Sequence, residues 1–277
     1  MGSAVRMEEQ LNTSDSRIVV RWEEAKITRR QIDLLAEEPL SIRIQGNPYS
    51  VVMRTPGDEV AHVAGFCLGE GIIDAVEDYA SIAFCEGEAT NVATVTLTPA
   101  RREMIGSILE RRNYISQSSC GLCGKELVQD LYQSIRPVPG GVRMGLRHAM
   151  AGLDAMAANQ PVRDRTRAAH AAALCDRDGN ILCVAEDVGR HNALDKAIGR
   201  ALLEGSLPNA ALAVLSSRVS YEMVQKTARA RIPMIFAVSR PTALAVELTS
   251  RLNMGLACLA EGVGAYVFCG ENRFEME

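Results

Sequence analysis

No stretch of the 277-residue sequence is both long and apolar enough to span a bilayer, and its N-terminus has no apolar signal-peptide region. The expected setting is therefore cytoplasmic, with no membrane partner. There is no basic block either. The net charge of −4 comes from interspersed charges, which excludes the electrostatic footprint of a nucleic-acid binder. Histidine is sparse: His62, His148, His170 and His191 are isolated, and none pairs with a cysteine at ligand spacing, so no structural metal is expected. Aromatic residues make up only 4%, with a single tryptophan.

Cysteine is not sparse. The eight cysteines, in a cytosolic chain, are expected to be buried apolar residues or reactive thiols and not a disulfide framework. Cys67, Cys85, Cys183 and Cys258 sit inside apolar runs and are expected to pack in the core. Apolar residues at 47% and charged residues at 23% suit a globular chain long enough for two domains.

Patterning places the division near residue 160. Residues 1–16 are given no fold role, as a tag or disordered segment, and 17–160 is expected to be a smaller, strand-rich α+β domain. Within it, "SIRIQGNPYSVVMRT" alternates as a hairpin turning at Gly46-Asn47-Pro48, a helix opens near Pro56 and Asp58, and "NVATVTLT" is a strand. "RREMIGSILERR" and "KELVQDLYQSI" are helical, with a loop at 114–124 between them, and a further helix covers about Leu146 to Asn159. From 161 to 277 strands alternate with helices, so an α/β domain with a largely parallel sheet is expected. Its hairpin turns at Asp178-Gly179, and its helices run from Asn192 to Leu203, Tyr221 to Ala230 and Thr242 to Leu252.

Open α/β sheets bind ligands where strands end at their carboxyl side, and helix N-termini there favour anions. Four such ends are readable: Glu186-Asp187 with Val188 to His191, Ser216 to Arg218, Ser239-Arg240, and Glu261 to Gly264. Their carboxylates, hydroxyls, arginines and glycines form a set able to hold a nucleotide. Asp187, Arg190 and Ser239 are the candidates taken from this crevice.

The loop "ISQSSCGLCGKE" carries Cys120 and Cys123, each followed by glycine. The CxxC spacing alone is weak evidence in so cysteine-rich a chain, but the paired glycines leave both sulfurs unshielded. No second ligand pair completes a zinc site. No apolar strand precedes the pair as a thioredoxin-like motif requires. Thiol chemistry remains, as sulfur relay or as disulfide exchange, and the residues alone do not separate the two.

The stretches "EEPLSIRIQGNPYSVVMRTPGDEVAHVAGFCLGEGII", "SSCGLCGKE", "AEDVGRHNALDKAIG", "SSRVSYEMVQKTARARIPMIFAVS" and "PTALAVEL" together resemble the FdhD family of formate dehydrogenase accessory sulfurtransferases, from about Ala36 to Phe268. The resemblance implies a cytoplasmic homodimer whose C-terminal domain is a three-layer, cytidine-deaminase-like α/β fold. It implies a sulfurtransferase that takes persulfide sulfur from a cysteine desulfurase and passes it to the bis(molybdopterin guanine dinucleotide) molybdenum cofactor for formate dehydrogenase. Guanine nucleotide would mimic that bound acceptor. The family's persulfide cysteine falls on Cys120, with Cys123 second, and a cofactor-binding stretch falls on Leu259, Ala260, Glu261, Gly262, Val263 and Gly264. Three departures stand out. The last stretch has Glu261 and no lysine or arginine, Arg167 stands where glycine is usual, and Arg240 where a small residue is usual. A cofactor-holding chaperone and a thiol-disulfide oxidoreductase are the alternatives. A zinc deaminase is excluded, because its H-x-E and P-C-x-x-C signatures are missing at His170 and Cys120.

Overall fold

The computed structural model describes residues 13–85, 91–112 and 135–276, with side chains to 106 in the second span. The "KELVQDLYQSI" helix and the loop carrying Cys120 and Cys123 lie outside the described residues.

The chain opens with an antiparallel ribbon, β1 (Ser14–Glu23) and β2 (Lys26–Leu35), so the first strand begins inside the stretch given no fold role. Ile18, Val20, Trp22 and Ile27 on the ribbon are all exposed. A four-stranded sheet follows in the order β4-β3-β6-β5, from β3 (Glu38–Ile44), β4 (Asn47–Arg54), β5 (Tyr79–Cys85) and β6 (Val92–Leu97). Leu40, Ile42 and Ile44 alternate inward. The hairpin turns at Gln45 and Gly46, with φ of 54° and 80°, one residue earlier than expected. Both central residues lie in the left-handed region, as a tight hairpin turn demands, and Pro48 is accommodated in β4 because that strand is an edge.

Helix α1 (Glu59–Gly69) is buried around nearly its whole circumference, because it lies between this sheet and a later helix. Helix α2 (Pro99–Arg112) follows β6. After the undescribed segment come β7 (Met144–Gly145), α3 (Leu146–Ala157) and α4 (Pro161–Thr166).

The second sheet runs β13-β12-β11-β10-β8-β9. Its strands are β8 (His170–Cys175), β9 (Ile181–Asp187), β10 (Leu212–Leu215), β11 (Met234–Ala237), β12 (Gly255–Leu259) and β13 (Ala265–Cys269). The expectation of a largely parallel sheet is corrected. Only β10–β11 and β11–β12 are parallel, while β8–β9, β8–β10 and β12–β13 are antiparallel. Hairpins at both flanks turn the chain back on itself, which a reading of strand–helix alternation alone does not register. A short β14 (Phe274–Glu275) pairs with β7.

Three layers result, as expected. Ala172, Leu174, Ala213, Leu215, Ile235, Ala237, Leu256 and Cys258 share a cluster with α5 (Arg190–Leu203), α6 (Tyr221–Arg229) and α7 (Ala243–Arg251). Ala171, Ala173, Leu212, Val214, Met234 and Phe236 share the opposite cluster with α3. Contacts cross the division expected at 160, since α3 packs on the C-terminal sheet and α1 shares one core with α5.

Helices α1 and α5 cross in close contact. A Cβ built on Gly65 would stand 1.9 Å from the Asp195 carbonyl oxygen, and one on Gly199 1.7 Å from that of Ala61. The two backbones touch, each helix contributing a glycine at the crossing. Gly65→Ala or Gly199→Ala is expected to destabilise the protein by about 3 kcal/mol in denaturant titration. Gly106→Ala in α2, where an added Cβ meets no described residue within 4 Å, is expected to leave stability unchanged or raise it by about 0.5–1 kcal/mol.

Candidate functional site

The antiparallel return of β8 and β9 brings His170 and Asp187 to the same end of the sheet as the carboxyl ends of β10, β11 and β12. The four loops singled out from the sequence therefore line one end of the sheet. His191 Nε2 lies 3.3 Å from Ser220 Oγ and 3.2 Å from Glu222, joining the start of α5 to that of α6. His170 Nδ1 lies 3.5 Å from Ser216 Oγ. On the other flank, Arg240 pairs with Glu261 at 2.5 Å and sits 5.5 Å over the Tyr266 ring, whose hydroxyl donates to Glu261 at 3.2 Å. Two of the departures noted in the sequence, Glu261 and Arg240, are thus partners. Strand spacing sets β9 and β12 roughly 19 Å apart, four steps across the sheet, so the crevice is long.

Leu259 to Gly264 form a projecting hairpin closed by Ala260 N–H donating to Gly264 O at 3.0 Å. Gly262 and Gly264 have φ of 86° and 105°, which an L side chain rarely adopts, and Val263 is fully presented to solvent. Ser239 is exposed in the loop after β11. Arg167, where glycine is usual, closes α4 at φ 60°, the left-handed cap position that favours glycine.

Asp187 braces the start of α5 from behind the crevice. It is wholly buried and accepts hydrogen bonds from Thr55 N–H at 3.0 Å, Gly189 N–H at 2.9 Å and Asn192 Nδ2 at 2.9 Å, with Lys196 Nζ at 2.7 Å. Lys196 also donates to Thr55 O at 2.7 Å, and Asn192 to Met53 O at 2.7 Å. The carboxylate thus pins the N-terminal sheet to the start of α5 and has no lone pair left for a ligand. Arg190 is only half-buried, and its Nε is shielded from solvent without a hydrogen-bond partner among the described residues.

Behind the crevice lies a second buried pair, Lys226 Nζ at 2.8 Å from both Asp195 oxygens and 5.3 Å from the centre of the Phe66 ring. Burial pushes Asp195 up to about 6, and Lys226 limits that rise, so the pair is ionised at neutral pH. His62 is fully buried in α1 and sits well below its ordinary pKa, through burial first and then Lys196, Lys226 and Arg54. These residues were passed over in the sequence. The available signal was Asp195-Lys196 inside "NALDKAIG", a charged pair in an otherwise apolar helix.

Burial raises the thiol pKa of Cys67, of Cys175 to about 12, of Cys183 to about 11, and of Cys258 and Cys269. Such thiols are poor nucleophiles at neutral pH. Cys85, expected in the core, is exposed, because its position in β5 points away from the packed face. Among the described residues no group of three or more His, Cys, Asp or Glu is placed to hold a metal ion. No described helix is long and apolar enough to cross a membrane.

The chain re-enters the described structure at the opposite end of the sheet from the crevice. Arg231 donates to Arg136 O at 2.7 Å and Pro137 O at 2.8 Å, and Arg273 to Pro139 O at 2.7 Å and Asn253 O at 2.6 Å. Arg101, near the start of α2, donates to Ile72 O at 2.8 Å and Gly71 O at 2.9 Å. The described residues that flank the undescribed segment are thus held by two buried arginines, Arg101 and Arg273, and by the exposed Arg231.

Residues 35–275 match the model of the FdhD/NarQ family. A sulfur carrier protein FdhD of Streptomyces avermitilis is 37% identical over 274 residues, covering 95% of this chain and 96% of that one. One of Nocardia farcinica is 40% identical over 264 residues, covering 93% of each. In fold, the chain is similar to a formate dehydrogenase accessory protein from Desulfotalea psychrophila, described as putative, at a TM-score of 0.75 and 22% identity, covering 95% of this chain and all of that one.

Lys196→Met is expected to cost about 3–5 kcal/mol, since it strands a buried carboxylate, and denaturant titration reads it. The histidines give stability a pH dependence. His62, His170 and His191 all titrate lower in the folded protein than in the unfolded chain. The unfolded state therefore binds more protons below about pH 6.5, and stability falls as pH falls from there towards about 4.5. Asp195, raised to about 6, and Glu186, also raised by burial, act in the opposite sense and offset part of the three protons. His62→Leu is expected to flatten the profile by up to about 1.4 kcal/mol per pH unit, and an unaltered slope would show that His62 plays no part in it.

Proposed function

The chain belongs to the FdhD/NarQ family, and on that premise we propose that it is a sulfurtransferase: Cys120 carries persulfide sulfur from a cysteine desulfurase to the bis(molybdopterin guanine dinucleotide) molybdenum cofactor. The observation that carries this reading is the near full-length likeness to sulfur carrier proteins. The cysteine census supports it. Burial silences five of the six thiols in the described residues, while Cys120 and Cys123 are each followed by glycine.

The Cys120 thiolate attacks the outer sulfur of the donor's persulfide. A new S–S bond forms on Cys120, the donor's S–S bond breaks, and the donor cysteine leaves as a thiolate. Release to the acceptor follows when the Cys123 thiolate attacks Cys120 Sγ. The outer sulfur departs at the hydrosulfide level, and the two cysteines are left as a disulfide that a thiol reductant resets. The acceptor lies in the strand-end crevice, where Arg190, Ser239 and the backbone amides of Leu259 to Gly264 face it. Asp187 acts behind them as the brace, not as a contact. In this reading the protein works in the cytoplasm as a homodimer and serves a formate dehydrogenase.

Incubation with a desulfurase and cysteine, followed by mass spectrometry, is expected to show one added sulfur on the wild-type loop peptide and none on Cys120→Ala. Cys123→Ala is expected to load normally and to discharge more slowly. An unloaded wild-type loop would leave a cofactor-holding chaperone, and reductase activity towards a disulfide substrate without loading would favour an oxidoreductase.

A further inference from the structure

The ribbon of β1 and β2 is held at its base. Its cross-strand pairs run from Ser14–Leu35 to Glu23–Lys26, a length of roughly 30 Å. At the base, Arg165 of α4 donates to Thr13 Oγ1 at 2.5 Å and its Nε lies 3.9 Å from Asp33. Further out, Arg17 pairs with Asp15 at 2.5 Å and Arg21 with Glu23 at 2.7 Å, both inside the ribbon.

A two-stranded ribbon by itself is marginal in water, since both of its strands are edges. The tip adds strain. Glu24 and Ala25, which both bear a Cβ, hold φ of 45° and 67° in the left-handed region. One face carries an apolar stripe from three same-face pairs, Trp22–Ile27, Val20–Arg29 and Ile18–Gln31. Trp22 is 72% exposed and Ile18 75%, with Val20 and Ile27 between 60% and 70% or at that bound. A continuous apolar stripe on an element that does not support itself calls for a cover.

That cover has to be permanent, because the ribbon depends on it to keep its shape. A sulfur donor or acceptor that visits for one transfer does not meet the condition, whereas a second copy of this chain does. Area argues the same way. One face of a ribbon about 33 Å long and about 11 Å wide covers roughly 360 Å², less than half of the roughly 800 Å² per partner in a stable interface. Reciprocal exchange doubles it, since each chain then gives one ribbon and receives another. Charge permits the approach, because residues 14–35 carry five basic and four acidic side chains and two ribbons therefore do not repel.

We propose that the β1–β2 ribbon is a dimerisation arm exchanged between two copies of this chain, with Ile18, Val20, Trp22 and Ile27 packed on the partner protomer. The inference rests on the homodimer reading and names the surface that forms it. A two-fold exchange covers each arm once and leaves no open surface for a third copy.

Trp22 is the single tryptophan of the chain, so its emission reports on the arm alone. Sedimentation velocity of the full chain over a dilution series, with Trp22 emission and acrylamide quenching read on the same samples, tests the exchange. A dimer with blue-shifted, shielded emission is expected, and the emission is expected to move to the red and become freely quenched over the concentrations at which the dimer dissociates. Val20→Glu, which keeps the tryptophan, is expected to raise the dissociation constant by roughly 30-fold or more, with the melting temperature of the dilute monomer unchanged. A dimer that leaves Trp22 freely quenched, or a Val20→Glu dissociation constant within about twofold of wild type, would overturn the arm and leave the homodimer reading intact. Shielding that persists in the dilute monomer would overturn it too, by placing the chain's own residues over the stripe. A monomer at every concentration would remove the homodimer reading and the arm with it.

Discussion

The backbone contact between α1 and α5 at Gly65 and Gly199 is the constraint on which the rest of the structure depends. Helices crossing without Cβ atoms between them approach closer than side-chain packing allows. That closeness brings His62 beside Lys196 and sets α1 against the Asp195–Lys226 pair, where a Cβ on Gly69 would stand 2.8 Å from the Lys226 side chain. Buried charges are tolerable only when their partners are in reach, so the glycines and the ion pairs are one device. Widening the crossing by a methyl group would strain the charge contacts as well as the packing.

Through this crossing the N-terminal sheet becomes part of the site's foundation. Asp187 gathers donors from Thr55, Gly189, Asn192 and Lys196, which fixes the start of α5 and hence the direction of Arg190 and His191. The donors that face the crevice are rigid because the groups behind them are saturated. The described thiols follow a related logic. Desolvation disfavours the thiolate at Cys67, Cys175 and Cys183, which confines nucleophilic sulfur to positions outside the core.

Legibility in the sequence followed the range of the interactions. Helices and strands of the C-terminal half were readable, because periodicity is local: the expected helix at 192–203 is observed as Arg190–Leu203, and the hairpin at Asp178-Gly179 as β8–β9. The clustering of four strand-end loops was readable too, since alternation implies it. Strand direction was not, because β8 returns against β10 through contacts that no local pattern encodes. Cys85 failed for a different reason. An apolar run in a strand has two faces, and only packing decides which one is covered.

Asp187 shows the same limit at the site. "AEDVGRHN" places a carboxylate at a strand end before a helix, which suits a ligand contact and a brace equally well. Its role turned on Thr55 and Lys196, the first 132 positions away in the chain. By itself the sequence determined the layered α/β class and the gathering of four strand-end loops at one end of the sheet. Those properties follow from residue types and short-range periods. Tertiary structure alone decided which charged groups are consumed in bracing and which remain free, because burial and partner distance are properties of contacts between segments far apart in the chain.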